Sequence, residues 1–250
     1  MANPRPPSTL DPAEIEKFAA LAADWWRPDG PFAALHRINP VRMQYIRERV
    51  EPHFGRKGRR PLEGLSVLDL GCGGGLVSAP LARLGGQVIG LDAGEEAIGA
   101  ARAYAASAGL EIDFRVGTAE ALAESGAQFD LITALEVIEH VADVGAFLKA
   151  AVTLLKPGGL IVLSTINRTP KARALAIVGA ERILKWAPEG AHDYDKLVTP
   201  DEIRAGAPEM VWEEPTGISY EPLGRGWTLS RDVAVNYLMA GVKPSSLAPR

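Results

Sequence analysis

The sequence contains almost no cysteine, and this absence excludes two common kinds of site. Its single cysteine, Cys72, can form neither an intrachain disulfide nor a zinc cluster built from cysteines. An apolar run of about eighteen residues, which a membrane-spanning helix needs, is missing, and so is a secretory segment at the N-terminus. Positive charge is not in excess, because 27 Lys and Arg face 31 Asp and Glu and leave a net charge of −4. We therefore expect a soluble, cytoplasmic protein that lies at most peripherally on the inner face of a membrane and has no nucleic-acid partner.

One stretch of the sequence predicts a βαβ unit around which the rest of the chain is organised. From Val67 to Asp92, two short apolar runs flank a glycine-rich turn and a helical segment. The glycines of the turn, including Gly71 and Gly73, can take positive φ and let the backbone approach a ligand closely. Asp92, at the tip of the second predicted strand, suits a carboxylate that accepts hydrogen bonds from two ribose hydroxyls. We expect a nucleoside-binding crevice at the carboxyl ends of parallel strands; the alternative is a glycine-rich turn without a ligand.

The spacing around the glycines indicates which nucleoside is bound. A dinucleotide site reads G-x-G-x-x-G/A, but Leu76 stands at its third small position. Asp69 precedes Gly71 by two residues, so the loop reads D-x-G-C-G-G-G, and we interpret Cys72 as a small residue under this loop rather than a reactive thiol. The pattern resembles the S-adenosylmethionine-dependent class I methyltransferases, in which the loop packs against a methionine moiety. This resemblance implies an α/β, Rossmann-like fold: a mostly parallel, seven-stranded twisted sheet with helices on both faces and an N-terminal helical extension.

Composition and periodicity divide the chain into segments. We predict a disordered lead-in (1–12), a helical cap (13–60) with helices at 13–26 and 35–50, a methyltransferase domain (61–243) that carries a basic amphipathic insertion (166–198), and a tail (244–250). Within the cap, the basic run 55–60 is interpreted as a solvated connector, with a phosphate or lipid-headgroup contact as the alternative.

Further strands are predicted after the βαβ unit. The third, Ile112 to Val116, leads into Gly117-Thr118-Ala119-Glu120, where class I methyltransferases commonly hold the adenine, and we assign the purine contact to the Ala119 backbone or to Glu120. The remaining predicted strands are Phe129–Leu135, Leu160–Ser164 and three closing strands, Met210–Glu213, Gly217–Tyr220 and Val233–Leu238.

A second group of polar residues follows the fourth predicted strand. Glu136, Glu139 and His140 have the spacing i, i+3, i+4, which places them on one face if a helix starts there. They could bind a divalent cation, although magnesium prefers shells made only of oxygen. They could equally supply a general base at His140, oriented by a glutamate. The third interpretation is helix-start capping with a surface ion pair.

The segment from Asn167 to Trp186 predicts a basic amphipathic helix. Its five cations are Arg168, Lys171, Arg173, Arg182 and Lys185, against the single anion Glu181. A basic, tryptophan-bearing amphipathic helix is typical of a membrane interface. A helix packed on the sheet with solvated charges fits the sequence equally well.

Four segments resemble the ubiquinone-biosynthesis O-methyltransferase family. They are ADWWRPDGPFAALHRINPVR (23–42), the loop VLDLGCGGG, the EVIEH segment, and STINRTPKARALAIVGAERIL running on to AHDYDKLVTPDEI. The similarity covers nearly the whole chain after residue 12. Two positions depart from the family pattern: Ala191 stands where Thr is usual, and Leu135 replaces a frequent methionine.

The resemblance implies an enzyme that methylates phenolic hydroxyls of polyprenylated rings, a 2-polyprenyl-6-hydroxyphenol and a 3-demethylubiquinol, with S-adenosyl-L-methionine as the donor. The cofactor contacts that the resemblance implies are Arg42, Gly71, Asp92 and Leu135, and the residue pattern adds Gly73 and Ala119. The catalytic candidates His140 and Glu139 come from the residues themselves, whereas eukaryotic relatives imply a magnesium ion, Mg2+, held by Glu136, Glu139 and His140. The implied partners are the polyprenylated substrate, a membrane surface bound through 166–186, and other ubiquinone-biosynthesis proteins.

Other functions remain open at the level of sequence. One is a class I methyltransferase that acts on another small phenol or on a polar substrate. Two belong to other classes: a nicotinamide-dependent dehydrogenase, and a methyltransferase-like domain kept only for binding. Binding of S-adenosylmethionine against NAD separates the dehydrogenase, and transfer of a labelled methyl group separates the inert domain.

Overall fold

A nine-stranded mixed sheet runs through the part of the chain that the computed structural model describes, residues 9–175, 193–221 and 226–245. Its strand order is β3-β2-β1-β4-β5-β9-β7-β8, with β6 also paired to β9. The strands are β1 (Ser66–Leu70), β2 (Gln87–Asp92), β3 (Asp113–Val116), β4 (Phe129–Leu135), β5 (Leu155–Ile166), β6 (Val211–Trp212), β7 (Thr216–Glu221), β8 (Gly226–Ser230) and β9 (Asn236–Val242).

The pairing confirms a Rossmann-like α/β fold but corrects the predicted sheet. The strands β1 to β5 pair in parallel, whereas every pair that involves β6 to β9 is antiparallel. The described sheet therefore has nine strands rather than seven, and its second half is antiparallel rather than part of a mostly parallel sheet. The strand missed in the sequence is β8, because Trp227 and Leu229 alternate with polar residues over only five positions, which is a weak period-2 pattern.

Helices cover both faces of the sheet, as predicted. They are α1 (Pro12–Ala19), α2 (Ala33–His53), α3 (Ser78–Arg83), α4 (Glu95–Ser107), α5 (Ala119–Glu124), α6 (Val144–Leu154), α7 (Pro170–Ala172) and α8 (Pro200–Gly206). Alternate residues of each central strand point to opposite faces. On β5, for example, Ile161 and Leu163 pack with the core under α6 and α8, whereas Leu160 and Val162 pack with the core under α2 and α3.

The N-terminal cap differs from its prediction in two ways. The predicted helix 13–26 ends at Ala19, and a 3-10 turn spans Ala22–Asp24, because Trp25 and Trp26 turn toward the glycine loop. Thr9 is buried, and its carbonyl accepts a hydrogen bond from Ala142 N at 2.8 Å. Residues from Thr9 onward therefore belong to the packed cap rather than to the lead-in.

The helices of the described residues are too short or too polar to cross a membrane. Most of the predicted basic amphipathic helix, as well as Ala191, lies outside the described residues.

Candidate active site

The glycine loop leaves β1 and returns toward the tip of β2. Gly71 and Gly73 have positive φ angles of 65° and 51°, which residues other than glycine rarely adopt. The amides of Gly71 and Cys72 both donate to Leu91 O, at 2.8 and 3.1 Å. This hydrogen bonding fixes the loop against the end of β2. Cys72 is buried against α4 and Phe114, which confirms its interpretation as a small packing residue.

Asp92 is held at the tip of β2 by two backbone amides. Its Oδ2 accepts from Gly73 N and its Oδ1 accepts from Gly94 N, each at 2.8 Å. Burial raises the pKa of Asp92, although these backbone hydrogen bonds act in the opposite direction. Each carboxylate oxygen has a second lone pair, and Asp92 lines the main cavity. The carboxylate is thus oriented to accept hydrogen bonds from a vicinal diol.

A second buried acid lies on the same wall. The Asp69 carboxylate accepts from Ser78 Oγ at 2.6 Å and from Thr133 Oγ1 at 2.7 Å. Burial raises the pKa of Asp69 to about 6, and the charge of Asp92 adds to the shift. A nearby cation stabilises the ionised form of such a buried carboxyl group, so this wall of the cavity favours a positively charged ligand.

Two consecutive tryptophans pack on the glycine loop, and Trp25 also lines the main cavity. The Trp25 ring is so close that a Cβ on Gly73 would lie 2.0 Å from its Cζ2, and one on Gly74 would lie 2.2 Å from its Cγ. Trp26 Nε1 donates to Gly74 O at 2.8 Å. Gly73 and Gly74 are therefore required for packing against the cap as well as for close approach to a ligand. In the sequence, the tryptophan pair is recognisable only through its resemblance to the family.

Arg42 and Glu136 form a buried ion pair beside the loop. Arg42 Nη2 lies 2.9 Å from Glu136 Oε1, and the side chains are 2% and 10% exposed. Glu136 also accepts from Ser164 Oγ at 2.7 Å. Nη2 is engaged by Glu136, whereas the buried Nε has no hydrogen-bond acceptor among the described residues. Because Arg42 lines the cavity, this buried donor suits the carboxylate of a ligand.

The backbone at Glu136 is strained. Among the described residues, Glu136 is the only one other than glycine with positive φ, 53°. This conformation costs roughly 1–2 kcal/mol and is typical of functional sites. It also explains why the predicted α-helical spacing of Glu136, Glu139 and His140 is wrong: the chain turns sharply at Glu136 and forms only a 3-10 turn at Ile138–His140.

His140 pairs with a residue that the sequence analysis missed. Its Nδ1 lies 3.0 Å from Oε2 of Glu14, on α1. The pKa of Glu14 is lowered to about 2, chiefly by the hydrogen bond with His140. An ionised carboxylate can only accept, so Nδ1 carries the proton and Nε2 is the nitrogen that takes up another.

The protonation of His140 follows from its neighbours. Burial acts to lower the pKa of His140, but the hydrogen bond with Glu14 and the nearby charge of Glu139 outweigh burial and leave the pKa raised. Glu139 is buried, and its Oε2 accepts from Thr165 Oγ1 at 2.9 Å. Of these residues, Glu14 and His140 line the cavity and Glu139 does not. Glu139 can therefore act on the site only through His140.

The three predicted metal ligands have separate partners. Glu136 faces Arg42 and Ser164, Glu139 contacts Thr165, and His140 contacts Glu14. Across the described ranges, no three His, Cys, Asp or Glu side chains are grouped in a way that could hold a metal ion. As arranged, these donors do not fit a shared magnesium ion.

Of the two predicted purine contacts, the structure places Ala119 in the cavity lining and Glu120 outside it. Ala119 starts α5 and lines the cavity together with Gly117 and Thr118. Glu120 does not line the cavity and instead accepts from Thr9 Oγ1 at 2.6 Å. Since Thr9 engages one oxygen of Glu120 and the side chain lies outside the cavity lining, the structure favours the Ala119 alternative for the purine contact.

One cavity of about 900 Å³ joins these groups. The predicted site residues that line it are Arg42, Gly71, Gly73, Asp92, Ala119, Leu135, Glu136 and His140. Its other wall comes from the cap, with Leu10, Ile15 and Phe18 among the lining residues. This volume lies near the upper end of the usual range for ligand pockets, about 300–1,000 Å³, so the cavity has room for a cofactor and part of an acceptor.

The described start of the basic segment makes contacts within the fold. Arg168 pairs with Glu202, Lys171 pairs with Asp232, and Arg173 lies over the ring of Tyr194. Part of the positive charge counted in the sequence is therefore compensated within the protein.

Sequence similarity to known proteins gives evidence that is independent of this geometry. Residues 68–163 match the family model described as a methyltransferase domain. The ubiquinone biosynthesis O-methyltransferase of Sinorhizobium medicae is 50% identical over 95% of this chain and 97% of its own. The protein of the same name from Parvibaculum lavamentivorans is 52% identical over 92% of this chain and 93% of its own.

Solved structures are similar in fold at lower identity. Magnesium protoporphyrin IX methyltransferase from Synechocystis with bound SAH is 21% identical, with a TM-score of 0.63 over 92% of this chain and 97% of that one. The plantazolicin methyltransferase BpumL in complex with SAH is 16% identical, with a TM-score of 0.61 over 93% of this chain and 97% of that one. These similarities support the fold.

Proposed function

The chain belongs to the ubiquinone biosynthesis O-methyltransferase family, and from this premise we propose that it methylates phenolic hydroxyls of polyprenylated rings at two steps of ubiquinone synthesis. It is an S-adenosylmethionine-dependent O-methyltransferase, so the hypothesis of a nicotinamide-dependent dehydrogenase is wrong. The proposed acceptors are a 2-polyprenyl-6-hydroxyphenol and a 3-demethylubiquinol. One observation carries the proposal: Asp92, suited to a ribose diol, and His140, suited to a phenolic proton, line the same cavity.

Three charged residues would hold S-adenosylmethionine. Asp92 would accept hydrogen bonds from the two ribose hydroxyls, and the buried Nε of Arg42 would donate to the methionine carboxylate. Burial disfavours the ionised form of Asp69, and the positive charge of the cofactor would stabilise that form. The cofactor supplies a methyl group on a sulfonium sulfur.

His140 would act as the general base toward the phenol. A phenol has a pKa of about 10, so little phenolate exists at neutral pH. Removal of the proton by His140 Nε2 raises the reactive fraction, and a raised imidazole pKa makes a stronger base. Glu14 fixes the tautomer through Nδ1, and the cavity walls orient the reactants and exclude water. None of these steps uses a metal ion.

Peripheral contact with a membrane is a further part of the proposal. A polyprenyl acceptor resides in the bilayer, so an enzyme that uses it has to meet the membrane surface. The segment 166–186 supplies cations and a tryptophan for this purpose. Flotation with vesicles that contain anionic lipid should carry the protein upward, and vesicles of neutral lipid should carry less of it. Equal recovery with both kinds of vesicle, or none with either, would contradict an electrostatic contact through this segment.

The central experiment measures methyl transfer. Purified protein with S-adenosylmethionine labelled in its methyl group is given a short-chain 3-demethylubiquinol, a short-chain 2-prenyl-6-hydroxyphenol and an unprenylated catechol. We expect label in both prenylated acceptors and little in the catechol. Transfer only to the catechol would favour the alternative of a class I enzyme for another small phenol. Repeating the assay with a chelator and then with added magnesium tests the predicted metal cluster.

A further inference from the structure

The cavity extends beyond the proposed site of methyl transfer toward the hairpin of β7 and β8. Ile166, the last residue of β5, pairs with Asn236, the first residue of β9, and Asn236 pairs with Ile218 of β7. Strand β7 continues past Ile218 to Glu221, so its last residues project beyond the edge where β9 begins. This is the same edge at which the parallel strands end.

Two aromatic residues lie on the projecting part of this hairpin. Tyr220 of β7 and Trp227 of β8 are register partners, and their ring centroids are 5.3 Å apart. Both line the cavity, and Trp227 packs on the core cluster that contains Val41 of α2. The hairpin end of the cavity is therefore lined by aromatic side chains that lie beside α2.

The strand order sets how far this end is from the cofactor. Neighbouring strands are about 4.8 Å apart. Three strand steps separate β4, which leads into Glu136, from β7, and five steps separate β2, which ends at Asp92, from β7. The hairpin therefore lies roughly 14 Å from the Glu136 end and roughly 24 Å from the Asp92 end of the site.

Tyr220 brings this end of the cavity to the protein surface, and the segment of Leu175 is tied to the same hairpin because Lys171 pairs with Asp232, two residues after β8. Four large hydrophobic side chains are exposed in the described part of the chain, Val116, Leu175, Val211 and Tyr220. Two of them, Leu175 at 53% and Tyr220 at 47% exposure, line the cavity. Apolar surface that continues from a deep cavity to solvent is typical of a binding site for an apolar ligand rather than of scattered surface hydrophobics.

We propose that Tyr220, Trp227 and Leu175 form an apolar exit through which the isoprenoid tail of the acceptor leaves the cavity while its ring stays near His140. The proposal rests on the proposed function, because it takes a prenylated ring as the acceptor. An extended chain bound along this exit buries apolar area with each added isoprene unit, whereas the first unit stays near the ring. The residues of the exit therefore set how strongly the enzyme prefers long tails.

Replacing the exposed aromatic residue tests this directly. Methyl transfer is measured in detergent with two 3-demethylubiquinols, one carrying one isoprene unit and the other carrying three. For Tyr220→Ser we expect KM for the longer acceptor to rise about tenfold, while KM for the shorter acceptor and for S-adenosylmethionine stays unchanged. Leu175→Ser, on a separate element, should act in the same direction, which separates the exit from any local change in the hairpin.

Matched controls come from the same sheet and from the opposite wall. Val211→Ser removes an exposed hydrophobic residue of β6 that does not line the cavity, and it should change neither KM. Ile15→Ser alters the α1 side of the cavity. An increase in KM that depends on tail length with Ile15→Ser, and not with Tyr220→Ser, would overturn the proposal by placing the tail under the cap.

The remaining outcomes are also distinct. Equal changes in KM for both acceptors with Tyr220→Ser, or no change with either, would overturn the exit while leaving the proposed function intact. Failure of the unaltered protein to methylate either acceptor would instead refute the proposed function.

Discussion

The two walls of the cavity are built from different kinds of contact. On the sheet wall, Asp92 is held by the amides of Gly73 and Gly94, within about one βαβ unit of the chain. On the cap wall, Glu14 reaches His140, and Arg42 reaches Glu136, through side-chain charges that are far apart in sequence. The contacts of the sheet wall form within one motif, whereas those of the cap wall form only when the cap packs on the sheet. The comparison indicates that the sheet wall follows from local structure and that the cap wall depends on the tertiary fold.

We expect the largest effect when Asp92 of the sheet wall is replaced. Asp92→Ala removes a charged acceptor of two ribose hydrogen bonds, each worth about 1.5–3 kcal/mol. We expect the affinity for S-adenosylmethionine to fall at least a hundredfold by calorimetry. Asp113→Ala, at an exposed carboxylate of β3, should leave the affinity unchanged. Tight binding by Asp92→Ala would mean that the sheet wall does not hold the sugar.

We expect the next largest effect when the contact between Gly73 of the loop and Trp25 of the cap is disrupted. Gly73→Ala places a methyl group on the Trp25 ring at a φ of 51°. Backbone strain and overpacking together should lower the free energy of unfolding by about 3 kcal/mol in urea titrations. Gly99→Ala is the control, since nothing lies within 4 Å of its added Cβ, and this helical change should stabilise the protein by up to about 1 kcal/mol. Equal stability of the two variants would contradict the packing of Trp25 on the loop.

A smaller effect tests whether the cap wall depends on pH. The pKa of Glu14 falls from 4.5 to about 2 on folding, so its contribution is present above about pH 4.5 and is lost as the pH falls toward 2. The pKa of His140 is raised above 6.5, so its contribution is full below about pH 6.5 and is lost as the pH rises through the raised value. The pair should therefore stabilise the protein most between about pH 4.5 and 6.5.

Glu14→Gln should reveal that window. The difference in Tm from the unaltered protein should be largest near pH 5–6 and should shrink on either side, and the corresponding difference in the free energy of unfolding should not exceed about 3 kcal/mol. Glu16→Gln changes an exposed carboxylate on the same helix and should show no such dependence on pH. A difference in Tm that does not vary with pH would show that Glu14 acts by packing alone.

We expect the smallest effect when Glu139, whose charge acts on His140, is replaced. Glu139→Gln removes a buried charge that raises the pKa of His140 but retains an acceptor for Thr165. We expect kcat to fall by up to about tenfold, while the affinity for S-adenosylmethionine stays the same. Glu124→Gln, at an exposed position of α5, is the matched control. Normal turnover of Glu139→Gln would remove this residue from the mechanism.

The sequence by itself determined the sheet wall. The apolar runs of β1 and β2, the glycine turn and the acid at the strand tip all belong to one continuous stretch, so their geometry follows from local backbone rules. The same local rules indicated β3 and β4 and the position of Ala119. Similarity over nearly the whole chain then supplied the family, which periodicity alone does not specify.

Only the tertiary structure decided the cap wall. The pairing of Glu14 with His140, the packing of Trp25 on Gly73 and the hydrogen bond of Thr9 with Glu120 join residues that lie far apart in sequence. The three predicted metal ligands are close in sequence, but Glu136 has positive φ instead of the expected helical conformation, and each side chain meets a partner on another element. Local patterns determine elements, but contacts between elements depend on how the whole chain folds over the sheet, since each of these side chains is positioned by an element that is not its neighbour in sequence.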